Sequence, residues 1–304
     1  MLTFHTLDVF TTRPYAGNPL AVVLGADELS PSQMQTIARE FNLSETIFVQ
    51  APRDPANTAK VRIFFPSAEI PFAGHPTVGC AVLLAVLAEG EGDFTRHIRL
   101  EEEAGLVPVT VTRKGRETRA EFTAPVLPEA LSGTVAPEMA ARALGLAPED
   151  IGLPGHAIGT WQGGPKFLYL PIRDRATLAR ARPCEPHWSE MMQAAGVDSG
   201  YLYTNGHGVD FQARMFSPTH GIPEDPATGS ASAILSGPLH AAGLVPPGTT
   251  HFRLMQGVEM GRPSEITLSV DADADGPTAI RIGGAAVRMS EGLIRVSERA
   301  FAMP

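Results

Sequence analysis

The sequence predicts an α+β protein built as two similar halves, and three observations carry that prediction. The chain repeats itself: residues 62–85 read RIFFPSAEIPFAGHPTVGCAVLLA and residues 214–235 read RMFSPTHGIPEDPATGSASAIL. Short β-type stretches alternate with helical patterning along the whole length, which argues for mixed rather than all-α or all-β structure. Finally, the run Val78 to Ala88 is apolar on every side, and a helix without a polar face must be surrounded by protein.

The repeat sets the architecture. Arg62, Phe64, Pro66, Ile70 and Pro71 match Arg214, Phe216, Pro218, Ile222 and Pro223. After a small difference in loop length, His75, Pro76, Gly79 and Ala81 match Asp225, Pro226, Gly229 and Ala231. Each copy reads as strand, Pro/Gly-rich loop, then a small residue pair opening a helix. The separation is too long for a solenoid. It assigns one half to residues 1–124, with 288–304 returning to it, and the other to 125–287. The Pro/Ala-rich stretch Ala124 to Gly155 is the crossing between them.

Taken in order, half-buried strands are expected at Phe4–Phe10, Ala21–Leu24, Thr46–Gln50, Ile98–Leu100, Val107–Thr112, Arg119–Phe122, Phe167–Pro171, Gly200–Tyr203, Thr267–Val270, Ala279–Ile282 and Leu293–Val296, all rich in β-branched and aromatic residues. Helices are expected at Ser30–Asn42, Pro137–Leu146 and Pro186–Ala195, and a surface turn at Asp271–Pro277.

Composition narrows the function. With 304 residues, 43% of them hydrophobic, and a net charge of -9, the chain has ample core and a surface that repels phosphate backbones and anionic lipids. Nucleic acid and membrane are not expected partners. His5 and Asp8 stand where a signal peptide would be basic and then apolar, and the longest apolar run is far shorter than the roughly 20 residues that span a bilayer. The expected location is the cytoplasm. Cys80 and Cys184 are the sole cysteines, the histidines are scattered, and no metal-binding spacing occurs. No metal and no cofactor are expected; there is neither a Gly-Lys-Ser/Thr phosphate loop nor a dinucleotide fingerprint.

Several residues could carry chemistry. The junctions Gly79-Cys80 and Gly229-Ser230 would offer free N–H groups and the positive end of a helix to an anion such as a carboxylate; the alternative is small residues where a helix starts close to a strand. His75 and Asp225 are pseudo-equivalent, each followed by a proline that favours extended backbone. They could orient a substrate or shuttle protons, or serve as a turn histidine and a helix cap. Glu45, in FNLSETIFV, stands where helix gives way to strand and could be a general base if partly buried, or an ordinary surface residue. Cys80 at a helix start could be an activated thiol or a packing residue. The segment Gln256 to Ser264 reads as a ligand loop or a turn.

Five ordered blocks, DVFTTRPYAGNPLAVV (8–23), LSETIFV (43–49), IPFAGHPTVGCAVLL (70–84), RMFSPTHGIPEDPATGSA (214–231) and QGVEMGRPS (256–264), resemble the PhzF-like family of phenazine biosynthesis over almost the whole chain. The resemblance implies a diaminopimelate-epimerase-like fold: two pseudo-repeated domains, each a barrel-like, mostly antiparallel sheet around a central helix, with the active site between them. It implies a cofactor-independent isomerase in which the S-E-T glutamate, here Glu45, moves a proton on a small carboxylate substrate. His75 and Asp225 then join Glu45 as catalytic residues, and Gly74, Gly79, Cys80, Gly229 and Ser230 bind substrate. Family members are commonly homodimers. The fold's epimerase branch uses paired cysteines, whereas Cys80 faces Ser230 in the repeat. Epimerase, racemase or dehydratase chemistry on an amino acid derivative, and a ligand-binding protein without turnover, stay open as alternatives.

Overall fold

The computed structural model describes residues 1–296, so the last part of the expected return, 297–304, lies outside the described residues. The chain forms two compact units: Met1–Pro125 with the chain from Gly283 onward, and Val126–Ile282.

In the first unit β1 (Leu2–Val9), β2 (Asn18–Leu24), α1 (Pro31–Phe41), β3 (Glu45–Gln50), β4 (Ala59–Phe64), β5 (Glu69–Ile70), α2 (Gly74–Glu89), β6 (Phe94–Glu102), β7 (Gly105–Lys114) and β8 (Glu117–Thr123) follow in order. Local sequence sets the ends of α1. Ser30 and Gln33 form a reciprocal capping box, Pro31 occupies the first helical position, and Asn42 closes the helix in left-handed conformation at φ 50°. The inner face of the helix, Met34, Ile37 and Ala38, packs with Phe48 and Phe64.

The second unit comprises β9 (Glu129–Ala130), α3 (Pro137–Leu144), β10 (Gly159–Gln162), β11 (Lys166–Pro171), α4 (Arg175–Arg180), α5 (His187–Ala195), β12 (Gly200–Asn205), β13 (Phe211–Ser217), β14 (Ile222–Asp225), α6 (Gly229–Ile234), α7 (Ser236–Ala241), β15 (Gly248–Gln256) and β16 (Ser264–Ala272). The last strand, β17 (Pro277–Ile294), begins there and continues into the first unit.

The pairings of one unit repeat in the other. The parallel pair β2–β3 corresponds to β11–β12, antiparallel β3–β4 to β12–β13, parallel β4–β6 to β13–β15, and antiparallel β6–β7 to β15–β16. In the first unit β17 pairs with β1, Leu2 opposite Ile294, and also with β8. That closes an eight-stranded barrel, and α2 packs against β1, β2, β3, β6, β7 and β8. The α+β fold expected from the sequence is the fold found.

The structure departs from the expectation in the helices and in the last strand. The central helix α2 starts at Gly74, not Val78, because Pro76 falls in the first helical turn, where its missing N–H costs nothing. His75 is therefore helical rather than extended. The strands expected at Ala279–Ile282 and Leu293–Val296 are one continuous β17, running through Gly283 and Gly284, that stops at Ile294. The corresponding helix of the second unit is interrupted between α6 and α7, since Pro238 has no N–H to donate to the preceding turn.

Candidate active site

Glu45 is the first residue of β3 and is 7% exposed, so the surface reading of this carboxylate does not hold. His75, in the first turn of α2, is buried, and its Nδ1 lies 3.4 Å from Glu45 Oε2. The strand end and the helix start meet there because α2 runs through the barrel that β3 helps to form. Asn18, the first residue of β2, places its Nδ2 3.3 Å from the same ring nitrogen. The Glu45 carboxyl and the Asn18 amide thus both face one ring nitrogen. Burial holds the His75 pKa down to about 3, with the Pro19 carbonyl opposing that shift. The ring is uncharged at neutral pH, and the Glu45–His75 contact is not an ion pair. A carboxyl in this position is able to hold a proton taken from elsewhere.

In the second unit Asp225 ends β14 and is buried. Thr228, not Asp225, is the cap of α6. Thr228 donates its hydroxyl to Asp225 Oδ2 at 2.5 Å. Gln256, the last residue of β15, fastens the turn between them: its Nε2 donates to the Asp225 carbonyl at 2.8 Å and to Thr228 Oγ1 at 3.0 Å, and its Oε1 accepts from the Thr228 N–H at 3.2 Å. Gly257 follows at φ +72°, and a side chain there would strike the Pro226 carbonyl. The glycine-rich segment after Gln256 is thus a turn that holds the Asp225 loop.

The structure separates the expected substrate-binding residues. Gly74 at the start of α2 and Gly229 and Ser230 at the start of α6 lie in first helical turns, whose amides have no acceptor within the helix. Gly79 and Cys80 do not lie at a helix start. They sit in the second turn of α2, where N–H groups belong to the helix ladder. Gly79 is there for packing, since a Cβ would come within 2.6 Å of Leu20 and 2.7 Å of Val9. The buried Cys80 thiol is pushed up, first by burial and then by the nearby Glu102, which opposes a thiolate. Asn18 and Gln256 were missed as site residues, although each lies in a motif block, because only their register shows what they touch. Among the described residues no three or more His, Cys, Asp or Glu side chains are grouped to hold a metal, and no helix is long and apolar enough to cross a membrane.

Residues 7–292 match the family model for phenazine biosynthesis-like protein. An uncharacterised isomerase of Mesorhizobium japonicum is 42% identical, the match covering 94% of this chain and 96% of that protein. The trans-2,3-dihydro-3-hydroxyanthranilate isomerase of Pseudomonas chlororaphis is 34% identical, over 95% of this chain and 97% of its own length. A solved structure of a predicted epimerase from Pseudomonas aeruginosa superposes with a TM-score of 0.82 at 32% identity, covering 98% of this chain and all of that one. With a family model spanning nearly the whole chain and isomerases among its full-length relatives, the chain belongs to the phenazine biosynthesis-like protein family and is an isomerase.

Proposed function

We propose that the chain relocates a proton on a small carboxylate substrate without a cofactor, with Glu45 as base and then acid. The observation that carries this reading is the buried Glu45 carboxyl beside an uncharged His75 ring, 3.4 Å away. Glu45 takes a proton from a carbon next to a π-system; the C–H bond breaks, an O–H bond forms on Glu45, and the electron pair shifts the double bond. Glu45 then returns the proton to a different carbon, beside a His75 ring that stays uncharged. A positioned acid–base group of this kind contributes about 10²–10⁴-fold in rate.

Asp225, held as an acceptor by Thr228, is proposed to orient the substrate. The first-turn amide of Gly74, on the same helix as His75, is proposed to bind its carboxylate. A cytoplasmic homodimer is part of the same proposal. Because a relative acts on trans-2,3-dihydro-3-hydroxyanthranilate, that compound is the first to present, followed by other small carboxylates.

Proton exchange in D₂O followed by NMR tests the reading. The wild-type chain is expected to place deuterium at the new C–H position of one of these compounds, and Glu45→Gln to slow uptake by about 10²–10⁴-fold. Turnover unchanged in Glu45→Gln would refute the mechanism. Loss of optical activity without double-bond movement would instead establish epimerisation.

A further inference from the structure

Glu102 is another buried carboxyl of the first unit, 8% exposed, and the proposed chemistry does not use it. It ends β6 and touches α2. Its Oε1 is 2.7 Å from Thr77 Oγ1, which is also 2.8 Å from the Ala73 carbonyl oxygen. A hydroxyl has one proton to give, and a carbonyl can only accept. For both contacts to be hydrogen bonds, Thr77 donates to Ala73 and the proton between Thr77 and Glu102 sits on Glu102. The other carboxyl oxygen, Oε2, is buried with no hydrogen-bond partner among the described residues, a setting that disfavours a charged carboxylate.

The repeat supplies an independent argument. Ala59 pairs with Leu100 on β6, and Phe211, the counterpart of Ala59, pairs with Leu254 on β15. Two residues further on stand Glu102 and Gln256. At this equivalent position Gln256, which is always neutral, donates to the Thr228 hydroxyl and to the Asp225 carbonyl beside the helix start. A protonated glutamic acid is the near-isostere of glutamine that can donate in the same way.

We infer that Glu102 is a positioning residue for the Glu45–His75 pair: as a neutral acid it donates to Thr77, Thr77 donates to Ala73, and this relay fixes the first turn of α2, on which His75 rides. Ionisation of Glu102 turns the Thr77 proton away from Ala73 and loosens that turn, giving the site an alkaline off-state. The surroundings leave little to counter the charge. On α2 the group meets Thr77 and the neutral Cys80 thiol. The inward residues of β4, β7 and β8, Val61, Ile63, Val107, Ala120 and Phe122, are apolar and buried. Lys60, Arg62, Glu69 and Glu103 line a groove on the outer face with Arg53, and Glu101 holds the Arg53 and Asp54 amides. Consistent with this, burial raises the Glu102 pKa to about 8, with Thr77 pulling the other way.

The inference rests on the proposed role of Glu45 and His75, and its test separates the two. Infrared difference spectra of the full chain against Glu102→Gln read the protonated carboxyl, and NMR of ¹³C-labelled histidine reads the His75 ring; neither needs turnover. A Glu102-dependent acid band is expected at pH 7, vanishing with a midpoint near 8. The His75 ring signal shifts with the same midpoint in the wild type, is flat in Glu102→Gln, and is displaced in Glu102→Ala. Thr77→Val, which breaks the relay while keeping shape, gives the same displacement and serves if Glu102→Ala does not fold. Where turnover is seen, Glu102→Ala lowers kcat about tenfold, with KM little changed, and Glu102→Gln restores it. Absence of the acid band at pH 7, or a His75 ring signal indifferent to Glu102→Ala and Thr77→Val, overturns the inference. Absence of turnover alone counts against the proposed isomerisation and leaves these two readouts to decide the role of Glu102.

Discussion

Glu102→Gln should change stability by an amount that depends on pH, and the curve follows from the two protonation equilibria. In the folded chain the carboxyl keeps its proton up to about 8; unfolded, it returns to its ordinary 4.5. Below 4.5 both states carry the proton, and the substitution exchanges one neutral donor for another. Between 4.5 and 8 the unfolded chain releases a proton that the folded chain retains, so this group lowers wild-type stability as pH rises, by about 1.4 kcal/mol per pH unit. Above 8 both states are ionised and the penalty is constant. The full span corresponds to about 5 kcal/mol, and local relaxation around a buried charge reduces it, so the expected difference at pH 9 is about 2–4 kcal/mol. The amide has no such dependence, and the other titrating groups cancel between the two chains. Urea denaturation followed by circular dichroism at pH 5, 7 and 9 reads it directly. The variant's advantage should be near zero at pH 5 and widen toward pH 9; a gap of the same size at all three pH values would refute the neutral-acid argument.

Three further outcomes follow from the packing. Gly79→Ala forces a methyl into Leu20 and Val9 at 2.6 and 2.7 Å; overpacking of this kind costs about 1–3 kcal/mol, and calorimetry showing an unchanged melting temperature would count against the tight approach of α2 to the sheet. Cys80 should resist a thiol reagent in the native chain while the half-exposed Cys184 reacts, with both reacting in denaturant; rapid modification of both native thiols would contradict the burial of Cys80. Arg214 is buried, donates to the Leu178 and Ala181 carbonyls and forms a two-pronged pair with Glu224, whereas its counterpart Arg62 pairs with Glu69 nearer the surface. Arg214→Ala should cost about 3 kcal/mol or more and Arg62→Ala about 1 or less, measured by chemical denaturation; equal losses would refute the distinction.

Much of this fold was legible because the repeat preserves residues that packing requires. The Arg, Phe, Pro and Ile-Pro spacing marks the same strand, turn and helix in both units, and the all-apolar run announced a helix enclosed by a sheet. The α1 boundaries were legible too, since Ser30, Pro31, Gln33 and Asn42 carry their instructions locally. The start of α2 was not, because Pro76 reads as a break unless it is known to fall in a first turn. For the same reason Gly79 and Cys80 read as a helix start with free amides. The join of β17 across Gly283 and Gly284 depends on partners far away in sequence, β1 among them, which no local pattern specifies. Asn18, Glu102 and Gln256 show the remaining limit: each looks ordinary in sequence, and its meaning lies in what register brings beside it.

That register also shows where the two units part company. The parallel pairing of β2 with β3 and of β11 with β12 aligns Thr46 with Gly200, through their antiparallel partners Phe64 and Phe216. The residue before each is then Glu45 in one unit and Ser199 in the other. Ser199 is engaged with Ser217, at 2.7 Å, which in turn meets His220, so the second unit has a hydroxyl where the first has a carboxyl. At the helix start His75 is answered by Asp225, in the next turn of α2 Cys80 by Ser230, and at the strand end Glu102 by Gln256. A mechanism using two equivalent bases would need matching groups at matching positions, and none of these pairs matches. The duplicated scaffold therefore carries one carboxyl at the β3 position, and a single Glu45 that both removes and returns the proton is the chemistry this asymmetry favours.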